Sequence, residues 1–238
     1  MTTPFHQEEI AFPADGHRLM GVLHLPAGDP VGTVIGSHGL FSSGASPKQL
    51  ELAHWCNRSR MAYFRFDHRG CGSSSGDFDT VTSLAGRKVD LEMAATLVRR
   101  RTDTGQGICL FGSSLGGAVC LAAAEAIRPD RIVTIAAPIR SRSILDARGG
   151  DLSIPDGFRK PHLQFDLTDR LAGISGLLIV HGDRDETIPV SQALELHRRV
   201  SAPKELIINE GGDHRMSRRD HQLRFLKAAT QWFISSSR

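Results

Sequence analysis

Short apolar runs recur along this chain, separated by stretches whose apolar positions follow helical spacing. Leu19–Leu25 and Thr33–His38 read as strands, parted by the turn signal "PAGDP". Across Pro47–Arg60 the apolar residues Leu50, Leu52, Ala53 and Cys56 fit a helix with Pro47 near its start, where a missing N–H costs nothing. A strand follows at Ala62–Asp67, then the Gly/Ser-rich loop "HRGCGSSSGDF". A helix is expected over about Leu84–Arg101, with Val89, Met93, Leu97 and Val98 on one face. Ile108–Phe111, Arg131–Ala136, Leu177–His181 and Glu205–Asn209 read as further strands, and Ser114–Ile127, Val190–Val200 and Ser217–Ser235 as further helices. Strands alternating with helices predict an α/β fold: a mostly parallel sheet covered on both faces, with an antiparallel pair leading in at the N-terminus. Pro138–Gly173, with Gly149-Gly150, Pro155 and Pro161, breaks the alternation.

At 238 residues the chain is expected to form one domain. No apolar run approaches the roughly 20 residues of a transmembrane helix, so no membrane partner is expected. The start, "MTTPFHQEEIAF", lacks the basic-then-apolar order of a secretory signal. The four cysteines show no C-x-x-C spacing. Cys109 and Cys120 sit in apolar context and read as buried free thiols, which points to a reducing, cytoplasmic setting. A net charge of +3, from 29 basic and 26 acidic residues, is too balanced to argue for nucleic acid. The run Arg99-Arg100-Arg101 reads as the solvated end of a helix, where cations suit the dipole.

The stretch "ICLFGSSLGGAV", Ile108 to Val119, carries the chemistry. A serine hydroxyl becomes a useful nucleophile when a base takes its proton and the backbone exposes its oxygen. A sharp strand-to-helix turn gives that exposure and crowds its flanks, which therefore favour glycine. The G-x-S-x-G frame fits once, Gly112-Ser113-Ser114-Leu115-Gly116, and selects Ser114, since Ser113 would be flanked by the bulky Phe111 and Leu115. A base and an orienting carboxylate are then required. "LLIVHGDRDETIP" and "LIINEGGDHRM" each follow a predicted strand, and strand ends on one edge of a parallel sheet converge. Ser114, Asp185 and His214 are the expected catalytic set, with Asp183 and Asp146 as rivals for the carboxylate. Backbone N–H groups make a ready oxyanion hole. The N–H of Leu115 follows the nucleophile. A second donor is expected from "VIGSHGLFSSG", where Gly39 would let the turn aim the N–H of Leu40, with Phe41 as the second choice.

In their order along the chain, "SHGLFSS", "FRFDHRGCGSSSG", "GSSLGG", "HGDRDETIP" and "GGDHR" resemble the α/β-hydrolase superfamily. The likeness is to small serine esterases and S9/S33-peptidase-like hydrolases with little or no cap, especially cinnamoyl/feruloyl-esterase-like members. It implies an eight-stranded sheet and a minimal lid at residues 139–173. That segment carries Arg140, Arg142, Arg148, Arg159 and Lys160, read as a solvated surface or as a site for an acidic group on the substrate. It also implies cleavage of a carboxylic ester of short or aromatic acyl chain through an acyl-enzyme. Thioesterase and acyl-peptide hydrolase activities are the runners-up within enzymes, and a non-catalytic ligand-binding protein is the reading of another class. Serine at the elbow sets the chain apart from the dehalogenases of this fold, which use aspartate, and from dienelactone hydrolases, which use cysteine.

No cofactor is called for. "GCGSSSG" has the spacing G-x-G-x-x-x-G with no helix starting within it, which fails the context of a dinucleotide loop. No metal is expected either: His181, Asp183 and Asp185 alternate along a segment, but that spacing is not specific. The expected partner is a small-molecule ester, and an exposed sheet edge or helix face offers a surface for a homodimer.

Overall fold

The computed structural model describes residues 6–141 and 161–235. Its centre is an eight-stranded sheet in the order β1-β2-β4-β3-β5-β6-β7-β8. The strands are β1 (His6–Ala14), β2 (His17–Leu25), β3 (Gly32–Ser37), β4 (Met61–Phe66), β5 (Gly107–Ser113), β6 (Arg131–Ile135), β7 (Leu177–Gly182) and β8 (Lys204–Asn209). β1 and β2 form the antiparallel lead-in, and β2 pairs antiparallel with β4; every later pairing is parallel.

Side chains of a strand alternate between faces, and here both faces are buried, which is why the central strands read as unbroken apolar runs. Ile35, Leu110, Ile132 and Ile179 enter one core with the helices α3 (Leu84–Arg99), α4 (Leu115–Ile127) and α5 (Val190–Arg199). Val34, Phe111, Val133 and Val180 enter the other with α1 (Pro47–Arg58) and α6 (Arg219–Ile234). Parallel strands need long crossovers, and these helices supply them on both faces.

The expected elements lie close to the observed ones; β1 was foreseen only as an unplaced partner in the antiparallel lead-in, the 3₁₀ turns Pro161–Leu163 and Thr168–Gly173 are additional, and two differences concern the helices. The buried stripe of α3 is Arg87, Asp90, Leu91, Ala94, Ala95 and Val98. The face expected from Val89, Met93 and Leu97 is only partly buried, because two charged residues hold places in the true stripe. A four-residue helix, α2 (Phe78–Val81), capped by the Asp77 carboxylate on the Thr80 N–H, was not expected at all. The Gly/Ser-rich loop before it is organised by Asp67, which accepts from the N–H groups of Gly44 and Ser73. All four cysteines are buried, and none of them is in a disulfide. No helix among the described residues is long and apolar enough to cross a membrane. Of the segment expected as a lid, residues 142–160 lie outside the described residues, and with them Arg142, Asp146, Arg148, Arg159 and Lys160. Arg140 is described, and its guanidinium is paired with Glu195 on α5.

Candidate active site

Ser114 stands between β5 and α4 with φ 53° and ψ −125°, a strained backbone for a side chain with a Cβ. The turn is closed by its N–H, which donates to Ile135 O at 2.8 Å. The two glycines of the motif are required by close approach. A Cβ at Gly112 would lie 2.4 Å from Gly116 O, and one at Gly116 would lie 2.1 Å from Ser37 O. The start of α4 is therefore pressed against the end of β3, which brings the His38–Leu40 loop beside Ser114.

The loops after β7 and β8 complete the arrangement. His214 Nε2 is 3.1 Å from Ser114 Oγ. His214 Nδ1 is 3.0 and 2.9 Å from the two carboxylate oxygens of Asp185. A carboxylate only accepts, so Nδ1 carries the proton and Nε2 is left to accept from the serine hydroxyl. The Asp185 side chain is fully buried, and its Oδ1 also accepts from the N–H groups of Thr187 and Ile188 at 2.8 and 2.7 Å. The carboxylate thus cannot rotate without losing two backbone bonds. His181 lies behind it, with Nε2 2.9 Å from Ile188 O and 3.4 Å from Asp185 Oδ2. Burial holds the His181 ring below the usual histidine range, so it stays neutral.

Asp183 is exposed and turns elsewhere: its carboxylate accepts from the Gly211 N–H at 2.7 Å. His181, Asp183 and Asp185 therefore do not converge on one point. The N–H groups of Leu40, Phe41 and Leu115 meet no acceptor among the described residues. Leu40, Phe41, Ser114 and His214 line one cleft of about 830 Å³, a size that suits a small organic molecule. Phe41 is 63% exposed at its mouth, its ring 5.5 Å from that of Phe78.

Gly39 differs from expectation. It is absent from the glycines with positive φ, and a Cβ there would make only ordinary contacts, 3.4 Å from Ser113 O and 3.6 Å from Ser114 Cβ. The loop's shape comes instead from Arg87, a residue not singled out in the sequence. Its guanidinium, fully buried, donates to three successive carbonyls: His38 O at 3.4 Å, Gly39 O at 3.1 Å and Leu40 O at 3.1 Å. It also donates to Cys71 Sγ at 3.2 Å. Its signal in the sequence was an arginine three residues before an aspartate on a helix whose other buried positions are apolar.

A second Ser–His–Asp chain lies beneath that loop. Ser37 Oγ is 2.9 Å from His68 Nε2, and His68 Nδ1 is 3.3 Å from Asp90 Oδ2. All three are sealed from solvent, so no substrate reaches them. His38 is part of the same network. Its Nε2 accepts from the His68 N–H at 3.1 Å, so its Nδ1 carries the proton and donates to Gly39 O at 2.8 Å. Both rings are held neutral by burial, His68 down to about 4 and His38 well below its usual value. Both chains have the geometry, but of the two the one at Ser114 opens on a cleft and the one at Ser37 does not.

Residues 28–149 match the family model described as serine aminopeptidase, S33. The uncharacterized protein YfhR of Escherichia coli K12 is 31% identical over 219 residues, 89% of this chain and 74% of that protein. The mitochondrial palmitoyl-protein thioesterase ABHD10 of Mus musculus is 27% identical over 207 residues, 75% of this chain and 67% of that protein. Among solved structures, Est1E of Butyrivibrio proteoclasticus with ferulic acid bound superposes with a TM-score of 0.80 at 20% identity, covering 95% of this chain and 98% of that one.

Proposed function

The chain belongs to the serine aminopeptidase S33 family of α/β-hydrolases, and within that family we propose that it is a serine hydrolase cleaving a carboxylic ester of short or aromatic acyl chain. The observation that carries this reading is the unbroken chain of hydrogen bonds from Ser114 Oγ through His214 to Asp185, opening on the cleft.

Ser114 Oγ attacks the acyl carbonyl carbon, and its proton passes to His214 Nε2. Asp185 holds the imidazole with its proton on Nδ1 and stabilises the imidazolium that forms. The N–H groups of Leu40 and Leu115 receive the developing oxyanion; such donors cost no reorganisation when the charge appears. The tetrahedral intermediate collapses, the C–O bond to the leaving alcohol breaks, and His214 protonates that alcohol. Water, giving its proton to His214, then cleaves the acyl-enzyme and restores the Ser114 hydroxyl. Nothing in these steps requires a cofactor or metal. One domain with its lid at residues 139–173 completes this reading, and the reducing setting proposed for it is the cytoplasm.

Thioester cleavage is the second reading, favoured by the likeness to ABHD10. Both readings use the same residues and differ in the leaving group. A panel of 4-nitrophenyl esters and acyl thioesters, graded in acyl length and including aromatic acids, tests them with wild type and Ser114→Ala. Ester turnover falling by about 10⁴-fold or more in Ser114→Ala is expected. Equal turnover in the two proteins contradicts the proposal, and a preference for long acyl chains contradicts its substrate class.

A further inference from the structure

We infer that the side chain of Phe41 is a specificity-determining platform at the mouth of the cleft, where it takes an aromatic ring carried by one arm of the ester cleaved at Ser114. This rests on the hydrolase reading for the reaction, but the contact with the ring does not depend on Ser114.

Phe41 is held beside the place of the reacting carbonyl. It follows directly on the stretch whose carbonyls, His38 O, Gly39 O and Leu40 O, are gripped by the buried Arg87 guanidinium. A Cβ at Gly39 would lie 3.6 Å from Ser114 Cβ. Two residues on, the Phe41 Cα stands no more than about 7 Å from the Gly39 Cα. A ring one or two bonds from the scissile carbonyl therefore comes within reach of the Phe41 side chain. The two neighbours part here: Leu40 is 4% exposed and enters the core, whereas Phe41 stays in solvent.

The ring has its own support. It rests on Phe78, centroid to centroid 5.5 Å at an interplanar angle of 37°. Phe78 is half-buried on α2 and packs against the core. α2 in turn is pressed onto the loop before it: Gly70 has φ 71°, and a Cβ there would lie 2.8 Å from Phe78 Cα. The four-residue helix thus holds one side of a two-ring surface whose other side is open. A ring fixed in advance loses little freedom when a ligand covers it.

Single apolar residues on a surface are ordinary; Phe41 is set apart by its place. Among the described residues it is the most exposed large apolar side chain, and the others that are exposed, Val31, Leu50, Leu194, Leu223 and Ile234, stand outside the cleft. The charges of the cleft cancel, with Lys48 and Arg215 set against Glu186 and the nearby Asp213. No surplus charge is left with which to hold an ion. The open apolar ring is what remains to discriminate between substrates, and a neutral, flat aromatic group covers it best.

Three esters test this. Ethyl phenylacetate adds one phenyl ring to the acyl arm of ethyl acetate, and 2-phenylethyl acetate adds one to the alcohol arm. For at least one of them kcat/KM is expected to exceed that for ethyl acetate by about tenfold, chiefly through KM. That gain is expected to shrink by about 3–10-fold in Phe41→Ala and to be kept in Phe41→Tyr. Binding of the two phenyl esters to Ser114→Ala, followed by NMR titration, reads the contact without turnover, and for at least one is expected to weaken in the Ser114→Ala/Phe41→Ala double variant. Turnover with no gain from either ring overturns the platform and leaves the hydrolase reading intact. No turnover, with ester binding that weakens in the double variant, does the reverse. A gain or an affinity unchanged in Phe41→Ala overturns the platform, even if all three esters slow alike, and so does a gain lost equally in Phe41→Tyr. Absence of both turnover and binding overturns both readings.

Discussion

At the scale of the residue, the site depends on how few positions each side chain is free to adopt. Asp185 is locked by two backbone N–H groups, His214 by Asp185, and Ser114 by a backbone that points its oxygen outward. Arg87 plays the corresponding part for the loop proposed to receive the oxyanion, since it grips the carbonyl of the peptide that carries the Leu40 N–H, Gly39 O, and the carbonyls on either side of it, His38 O and Leu40 O. Removing it should loosen a transition-state contact more than a ground-state one. Arg87→Met is therefore expected to lower kcat by about 10–10³-fold with a small change in KM, and Arg87→Lys to recover part of the loss. An equal effect on kcat and KM, or none, would contradict this role. That Ser114, Asp185 and His214 would come together was legible in the sequence because each follows an apolar strand, with Ser114 framed by Gly112 and Gly116 and His214 preceded by Gly211-Gly212. Arg87 was not, because its role is made by a long side chain reaching a loop far away in sequence. Gly39 was over-read: a glycine in a loop suggested a special backbone where the holding force is a guanidinium.

At the scale of the element, the junction of β5 and α4 is the least forgiving part of the fold. The Cβ that alanine would add at Gly116 meets the backbone of β3, which cannot move without shifting a central strand. Gly116→Ala is expected to cost about 1–3 kcal/mol or more in stability, read as a lower urea midpoint, together with loss of activity. Gly39→Ala, whose new Cβ makes only ordinary contacts, should leave the midpoint nearly unchanged; equal midpoints for the two variants would contradict the account. Elements with strong periodicity were legible to within a few residues. α2 was not, since four residues carry no period, and the buried stripe of α3 was misplaced because hydrophobicity does not report an arginine and an aspartate met in the interior, Arg87 by the carbonyls of residues 38–40 and Asp90 by His68 and Arg69.

At the scale of the whole molecule, alternation of strand and helix announced the parallel sheet, but nothing local determines that β4 lies between β2 and β3. That order comes from which faces the helices must cover. The buried histidine network under the sheet edge has a consequence for the entire fold. His38 and His68 are neutral when folded, His68 down to about pH 4, whereas in the unfolded chain they protonate near 6.5. Between those values the unfolded state binds more protons, so stability is greatest above pH 6.5 and falls as the pH drops toward 4. Between pH 7 and pH 4.5 the loss from His68 alone is about 2 kcal/mol, and urea unfolding at those two values measures it; equal stability at the two would contradict the assignment. The account's central claim, that Ser114 is the nucleophile activated by His214, meets its most direct test in a fluorophosphonate probe followed by intact-mass and peptide mapping. One adduct per chain, on the peptide containing Ser114, absent in Ser114→Ala and strongly slowed in His214→Ala, is the predicted result. Labelling at another serine, or labelling that persists in Ser114→Ala, would contradict it.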